Sequence, residues 1–171
     1  QLKPPTGATF CGLMIGENSS RYLLASDAGY GFVATLEDLL TRNKSGKAVL
    51  SARGAGVLAP QRVFEYEDDW VAAITDTGRL LIFPLAELPL LPKGKGVKLI
   101  NIPGPRHKAG EEKLTAVAVF REGDALRLFA GKQNMRLKPS DIDTFAGSRA
   151  QRGRVLPRGY QRPTAIETVP A

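Results

Sequence analysis

The sequence has few of the residues from which disulfides, metal sites and catalytic dyads are built. It contains one cysteine, Cys11, and one histidine, His107, among 171 residues. A single cysteine excludes an internal disulfide framework and is typical of a reducing compartment. Because Cys11 lies in an apolar run, we expect a buried, unreactive thiol. His107 lies in a Gly/Pro-rich stretch without a second histidine, so we expect a solvated loop residue rather than a metal ligand or part of a triad.

Long apolar runs are also absent. No segment approaches the roughly 20 consecutive apolar residues that a membrane-spanning helix needs. Residues 1–10 contain neither a charged-then-apolar leader nor a starting methionine, so we interpret them as the cut edge of a longer chain. Apolar residues make up 43% of the sequence, enough for a folded core. We therefore expect a soluble intracellular fragment, part of one domain over residues 1–171.

Acidic residues are outnumbered. The sequence contains 17 Asp and Glu and 24 Lys and Arg, which gives a net charge of +7. Residues 101–171 hold 13 basic and 7 acidic residues, so most of the excess lies there. A basic protein favours anionic partners, nucleic acid first and an anionic membrane surface second.

The chain repeats with a period of about fifty residues. "YLLASDAGYGFVATLEDLL" from Tyr22 aligns with "WVAAITDTGRLLIFPLAELPLL" from Trp70, and a weaker copy starts at Ala125. The predicted units span 10–52, 62–102 and 114–157, followed by a closing tail over 158–171. Each unit shows four short β-type runs, the second and third joined by a tight turn such as Asp76-Thr77-Gly78. The first runs are predicted at 10–15, 63–66 and 115–120, and the fourth at 48–52, 97–102 and 154–156.

Four short strands per unit at this period are typical of a propeller blade. The sequence therefore predicts an all-β, propeller-like disc of four-stranded blades that is partial or open. An irregular β-sandwich is the alternative.

Three equivalent loops carry an unusual density of positive charge. They are "RNKSGK" (42–47), "KGKGVK" (93–98) and "RAQRGRVLPR" (149–158), and none contains Asp or Glu. In a blade-by-blade fold, one repeated position maps to one rim, so we predict a belt that binds phosphates. The predicted DNA-binding residues are Arg42, Lys44, Lys47, Lys93, Lys95, Lys98, Arg149, Arg152, Arg154 and Arg158.

A plainer interpretation of these loops stays open, since glycines turn chains and edge lysines deter strand pairing. No helix-turn-helix, zinc spacing or aromatic RNA-binding motif is present, so base reading is not predicted. "GKGVK" lacks the leading glycine and the hydroxyl of a P-loop.

No catalytic or metal-binding constellation is found elsewhere. The acids of "EYEDD" (65–69) could bind a cation, but solvation at a strand end explains them. Trp70 and Phe83 lie in strand patterns and are predicted core residues. None of the four tyrosines has the flanking groups that nucleophilic chemistry needs.

The two quoted repeats, with "KGKGVKLINIP" and the tail "RGRVLPRGYQRPTAIE", resemble the C-terminal domain of the A subunit of bacterial DNA topoisomerase IV (ParC) and, more distantly, that of the A subunit of DNA gyrase. The resemblance covers most of residues 10–160. It implies a β-pinwheel, in which neighbouring blades share strands. It also implies an ATP-dependent type IIA topoisomerase as parent enzyme, with Mg²⁺ and ATP used elsewhere, no cofactor in this fragment, and a nucleophilic tyrosine outside this chain.

The resemblance further implies that the disc binds and bends duplex DNA on its rim, supporting decatenation and supercoil relaxation. Implied partners are the rest of ParC, the ATPase protein ParE with which it forms a heterotetramer, and the hinge of the condensin MukB. Docking of that acidic hinge is the alternative function. The implied location is cytoplasmic and chromosome-associated, or peripheral at the inner membrane. Since "RAQRGRV" (149–155) is only a degenerate form of the gyrase Gln-Arg-Gly-Lys box, modest bending rather than full wrapping is expected.

Overall fold

The computed structural model describes residues 3–171, so the first two positions of the predicted 1–171 unit lie outside the described residues. The strands are β1 (Arg21–Ala25), β2 (Tyr30–Thr35), β3 (Gln61–Val63), β4 (Trp70–Thr75), β5 (Arg79–Pro84), β6 (Val97–Lys98), β7 (Leu114–Phe120), β8 (Ala125–Ala130), β9 (Gln133–Leu137), β10 (Arg154–Val155) and β11 (Ala165–Val169). The helices are α1 (Leu36–Leu39), α2 (Gly104–Lys108) and α3 (Pro139–Asp143), with a 3₁₀ turn at Leu85–Glu87. Within residues 3–171, no helix is both long and apolar enough to span a bilayer.

The strands form three antiparallel sheets, named here blades 1, 2 and 3. Their strand orders are β3-β1-β2-β6, β7-β4-β5-β10 and β11-β8-β9. This confirms the predicted all-β fold of blades, and the β-sandwich alternative is wrong.

Each of the first two blades takes its outer strand from later in the chain. In blade 1, Val97 of β6 lies opposite Gly31 of β2. In blade 2, Arg154 of β10 lies opposite Leu80 of β5. The strands at the other edge, β3 and β7, also follow the hairpin that they extend. Strands are therefore exchanged between units, as the resemblance implied.

Blade 2 is buried on both faces. Because side chains alternate along a strand, Val71 and Ala73 of β4 pack into the core shared with blade 1. Ala72 and Ile74 pack into the core shared with blade 3. This explains why β4 is a continuous apolar run rather than an alternating one.

Two predicted strands are wrong. Residues 10–15 are not a strand, and Phe10 and Leu13 are 76% and 78% exposed. Of residues 48–52, only Leu50 forms a bridge, to Gly94. In blades 1 and 2 the equivalent runs pair with the hairpin that precedes them. The described residues contain no sheet before β1 with which residues 10–15 and 48–52 could pair. The tail supplies a strand that was not predicted, β11, which pairs with β8.

Glycine at position 96 is required where β6 approaches blade 1. Its φ is +77°, and an added Cβ would overlap the carbonyl oxygen of Gly31. We expect Gly96→Ala to lower the free energy of unfolding by roughly 3 kcal/mol or more, because backbone strain and steric overlap add. Urea denaturation of the purified chain measures this difference.

Gly46 is the matched control, with a φ of +89° and no atom within 4 Å of an added Cβ. Gly46→Ala should cost only about 1–2 kcal/mol, the strain of a left-handed backbone. Equal losses for the two variants would contradict the close approach of β6 to β2.

Candidate nucleic-acid interface

Backbone hydrogen bonds bring the three basic loops together. The Gly94 N–H donates to the carbonyl of Val49 at 2.9 Å, and the Ser51 N–H donates to the carbonyl of Gly94 at 2.8 Å. The segment that follows the first loop, residues 49–51, therefore lies beside the second loop. The loops follow one another along the outer edge because β6 and β10 are exchanged strands.

The second and third loops are joined in the same way. The Ala150 N–H donates to the carbonyl of Leu99, and the Asn101 N–H to the carbonyl of Gln151, both at 2.9 Å. The three loops together, residues 42–47, 93–98 and 149–158, are named here the basic belt.

Six of the ten predicted DNA-binding side chains lie exposed on the belt. They are Arg42, Lys44, Lys47, Lys93, Arg154 and Arg158. Among these, the Lys47 ammonium donates to the backbone carbonyl of Asp38 at 2.6 Å, which fixes its position and leaves its charge unneutralised. An exposed cation of this kind can approach a phosphate without first giving up a carboxylate partner.

Three of the others are half-buried. Their cationic groups contact neutral partners, while the backbone N–H of Arg149 donates to Glu87 Oε2 at 2.7 Å. Lys95 Nζ lies 3.7 Å from the centroid of the Tyr30 ring, and Lys98 Nζ donates to Asn101 Oδ1 at 3.1 Å. The Arg149 guanidinium donates to the carbonyl of Lys98 at 2.8 Å. Their charges still add to the positive potential of the belt, although these contacts restrict the movement of the three side chains.

Arg152 has a different environment from the one predicted. Its guanidinium donates two hydrogen bonds to Glu112, at 2.7 and 2.6 Å, and a third to the carbonyl of Asn101 at 3.0 Å. The Glu112 side chain is fully buried. This bidentate pair connects the third loop to the segment before β7, so the geometry favours a structural role for Arg152 over contact with DNA.

Glu112 is the centre of this network, and sequence reasoning missed it. Burial raises the pKa of its carboxyl, but the hydrogen bonds from Arg152 and Thr77 and the charges of Arg152 and Arg106 outweigh burial. The pKa therefore lies below its usual value of 4.5. Because Arg152 and Thr77 are 40 and 35 residues away in sequence, no local pattern reveals the pair.

Several predictions outside the belt need correction. Cys11 is exposed rather than buried, because residues 10–15 join no sheet. His107 Nε2 lies 2.7 Å from Asp27 Oδ1, so α2 is tied to the β1–β2 turn and His107 is not simply solvated. Asp69 is 1% exposed, unlike the other acids of 65–69. Phe83 is a core residue as predicted, while Trp70 is half-buried.

No metal centre emerges from the part of the chain that the structure describes, where no three His, Cys, Asp or Glu side chains could hold one ion. Exposed cations along one edge therefore form the main candidate site.

Comparisons with known proteins identify the family of the chain. The family described as DNA gyrase C-terminal domain, beta-propeller, matches residues 21–54 and 69–121. The A subunit of DNA topoisomerase 4 from Pseudomonas aeruginosa is 48% identical over 163 residues, which are 95% of this chain and 22% of that protein. The Escherichia coli K12 protein of the same name is 39% identical over 167 residues, 98% of this chain and 22% of its own length. The chain thus spans about a fifth of the length of these relatives.

Solved structures extend the match. The E. coli ParC C-terminal domain superposes with a TM-score of 0.89 at 38% identity, covering 99% of this chain and 69% of that one. A DNA gyrase A C-terminal domain gives a TM-score of 0.69 at 18% identity over 90% of this chain and 50% of that one, which shows a shared fold.

Glu112→Gln should lower the free energy of unfolding by roughly 2–4 kcal/mol at neutral pH, because Arg152 loses its ionised partner. Since the folded pKa is depressed, this stabilisation is complete above the ordinary value of 4.5 and is lost as the pH falls through the folded value. The unfolding free energies of the two proteins, measured by urea titration, should therefore converge as the pH falls through that depressed value.

Glu111→Gln is the control, since Glu111 is 60% exposed and lies 3.5 Å from Arg106 alone. Its effect should stay under about 0.5 kcal/mol. A Glu112→Gln difference that persists unchanged into acid would contradict the ionised pair.

Proposed function

The chain belongs to the family of C-terminal domains found in the A subunits of DNA gyrase and topoisomerase IV, and from this premise we propose that it binds and bends duplex DNA. In this proposal the domain is non-catalytic. It holds the DNA segment to be transported on the basic belt and so supports decatenation and supercoil relaxation by the parent enzyme.

The observation that carries the proposal is the continuity of the belt. Three loops without an acidic residue follow one another along one edge, held by backbone hydrogen bonds. A duplex has closely spaced phosphates, and each phosphate neutralised by Lys or Arg releases condensed counterions. A row of exposed cations therefore suits a DNA backbone, and its contacts position DNA without reading sequence.

The belt favours a bend over a full wrap. Of the four cations in the third loop, Arg152 is paired with Glu112 and Arg149 with backbone, while Arg154 and Arg158 are exposed. Only two of the four cations at this loop are therefore free to contact phosphates, which limits how tightly DNA can be held there. This supports the modest bending expected from the degenerate Gln-Arg-Gly-Lys box.

We extend the proposal to the whole protein, of which this chain is a part. The parent would be a type IIA topoisomerase in which ParC pairs with the ATPase protein ParE in a cytoplasmic, chromosome-associated heterotetramer. Mg²⁺, ATP and the nucleophilic tyrosine would act outside this chain. Deleting residues 1–171 from the full ParC protein should then spare strand cleavage and reduce decatenation, and loss of cleavage would contradict an accessory role.

The same exposed cations suit an acidic protein such as the MukB hinge, which is the second candidate. Competition separates the two functions. If the belt is the DNA site and the hinge uses it too, short duplex DNA should displace the hinge. Hinge binding by a chain that shows no DNA affinity at low salt would favour the docking function.

Changing Lys93, Lys95 and Lys98 together to Ala should weaken duplex binding and flatten its salt dependence. Each phosphate that is no longer neutralised should reduce the slope of log affinity against log salt by about 0.9, because fewer counterions are released. Fluorescence anisotropy with a labelled duplex over a salt series measures both quantities.

The matched control changes Lys108, Lys113 and Lys132 to Ala, which removes the same charge from exposed positions outside the belt. This variant should keep the wild-type slope. Equal reductions in the two variants would mean that net charge, and not the belt, holds DNA.

A further inference from the structure

Most of the acidic residues lie in segments that flank one end of the strands, and these segments meet at one face of the fold. Arg21 of β1 lies opposite Thr35 and Val63, and Trp70 of β4 lies opposite Pro84 and Phe120. Residues 64–69 and 121–124 connect successive blades at these ends of the strands. The segments that flank the strands at these ends therefore share one face, named here the acidic face. They are 17–20, 36–39, 64–69, 85–87, 121–124 and 138–143.

The acidic face is strongly negative in an otherwise basic protein. Its six segments hold 12 of the 17 acidic residues and two cations, Arg121 and Lys138. Among residues 3–171, none of these acids lies within ion-pair distance of a basic side chain, since all ion pairs involve Asp27, Glu111 or Glu112. Such unneutralised charge repels DNA and attracts cations.

A cleft of about 530 Å³ lies on this face. Its acidic lining consists of Glu65, Glu67, Asp68, Asp69 and Glu122. The half-buried ring of Trp70 and the ring of Pro84 supply apolar surface beside these carboxylates. The one cation in the lining, Arg121, has its guanidinium 4.8 Å from the centroid of the Phe64 ring. A cationic side chain fits this setting, since it can touch both an aromatic face and carboxylates.

The buried carboxylate of Asp69 is a second, independent observation that points to a ligand in the cleft. It is 1% exposed, and its Oδ2 accepts hydrogen bonds from the N–H groups of Phe64 and Glu65 at 2.7 and 3.0 Å. Its Oδ1 is buried without any hydrogen-bond partner in the described structure. A buried carboxylate oxygen without a donor is costly, so a donor brought by a ligand would be stabilising.

We propose that this cleft is a docking site for a basic protein segment, which inserts an arginine or lysine side chain beside Trp70 and supplies a donor to Asp69. DNA is excluded by its charge. A metal ion is not proposed as the ligand, because no three His, Cys, Asp or Glu side chains among residues 3–171 are placed to hold one. The inference does not depend on DNA binding by the belt, which lies on the outer edge.

Trp70 is the only tryptophan in the sequence, so its fluorescence reports directly on the cleft. A synthetic peptide of alternating arginine and glycine should change Trp70 emission in a saturable manner. A peptide of the same length with glutamate in place of arginine should leave emission unchanged. Changing Glu67→Gln, Asp68→Asn and Glu122→Gln together should weaken peptide binding by about tenfold, because three exposed negative charges are removed.

Asp69→Asn tests the unpartnered oxygen itself. The amide oxygen can still accept from Phe64 and Glu65, while the amide nitrogen replaces the free acceptor by a donor. Binding should fall with the fold retained, as judged by circular dichroism; if this variant unfolds, the triple variant decides. The matched control, Asp76→Asn with Glu111→Gln and Glu167→Gln, removes the same charge outside the acidic face and should change affinity less than about twofold.

Four results would overturn the proposal: unchanged emission with the arginine peptide, an equal loss of affinity in the control variant, displacement of the peptide by Mg²⁺ alone at constant ionic strength, or the same emission change with duplex DNA. The third would indicate a divalent-cation site, and the fourth would place nucleic acid on this face.

Discussion

The exchange of outer strands between units is the constraint on which the rest of the structure depends. Short strands such as β6 and β10 add little by themselves, but each completes a blade built from an earlier hairpin. To do so, the chain must pass close to a neighbouring backbone, and Gly96 provides the space beside Gly31. The loop that leads into each exchanged strand is thereby fixed at the boundary between blades. Local stability and the position of the basic belt thus share one physical cause.

The same topology separates the charges. Connections between blades and the turns after the hairpins lie on one face and carry most of the acids, whereas the basic belt follows the outer edge and carries cations. If the belt binds DNA as proposed, the duplex would have a repulsive surface beside it, and this would restrict the paths open to DNA. Five acids lie outside the acidic face, and one of them, Glu112, has a buried carboxylate that pairs with Arg152 and connects the third loop to the start of β7.

Repetition made much of the fold predictable. The β1–β2 and β4–β5 hairpins follow from pairs of apolar runs around a glycine turn, and the common position of the three basic loops follows from aligning the units. Residues 10–15 have the composition of a strand but form none, because a strand also needs a partner sheet. The position of the belt was predictable from the repeat, but the role of Arg152 was not. Its partner, Glu112, is distant in sequence and meets it only when the blades pack.

The path of DNA across the surface tests the central claim most directly. With Cys11 replaced by Ser, single cysteines can be introduced as Lys44→Cys, Lys93→Cys and Arg154→Cys on the belt, and as Glu67→Cys and Asp141→Cys on the acidic face. Each variant is then crosslinked to a duplex whose phosphates carry a thiol-reactive group. The account predicts efficient crosslinking at the three belt positions and little at the two acidic ones. Equal crosslinking at all five positions, or a preference for the acidic face, would contradict it.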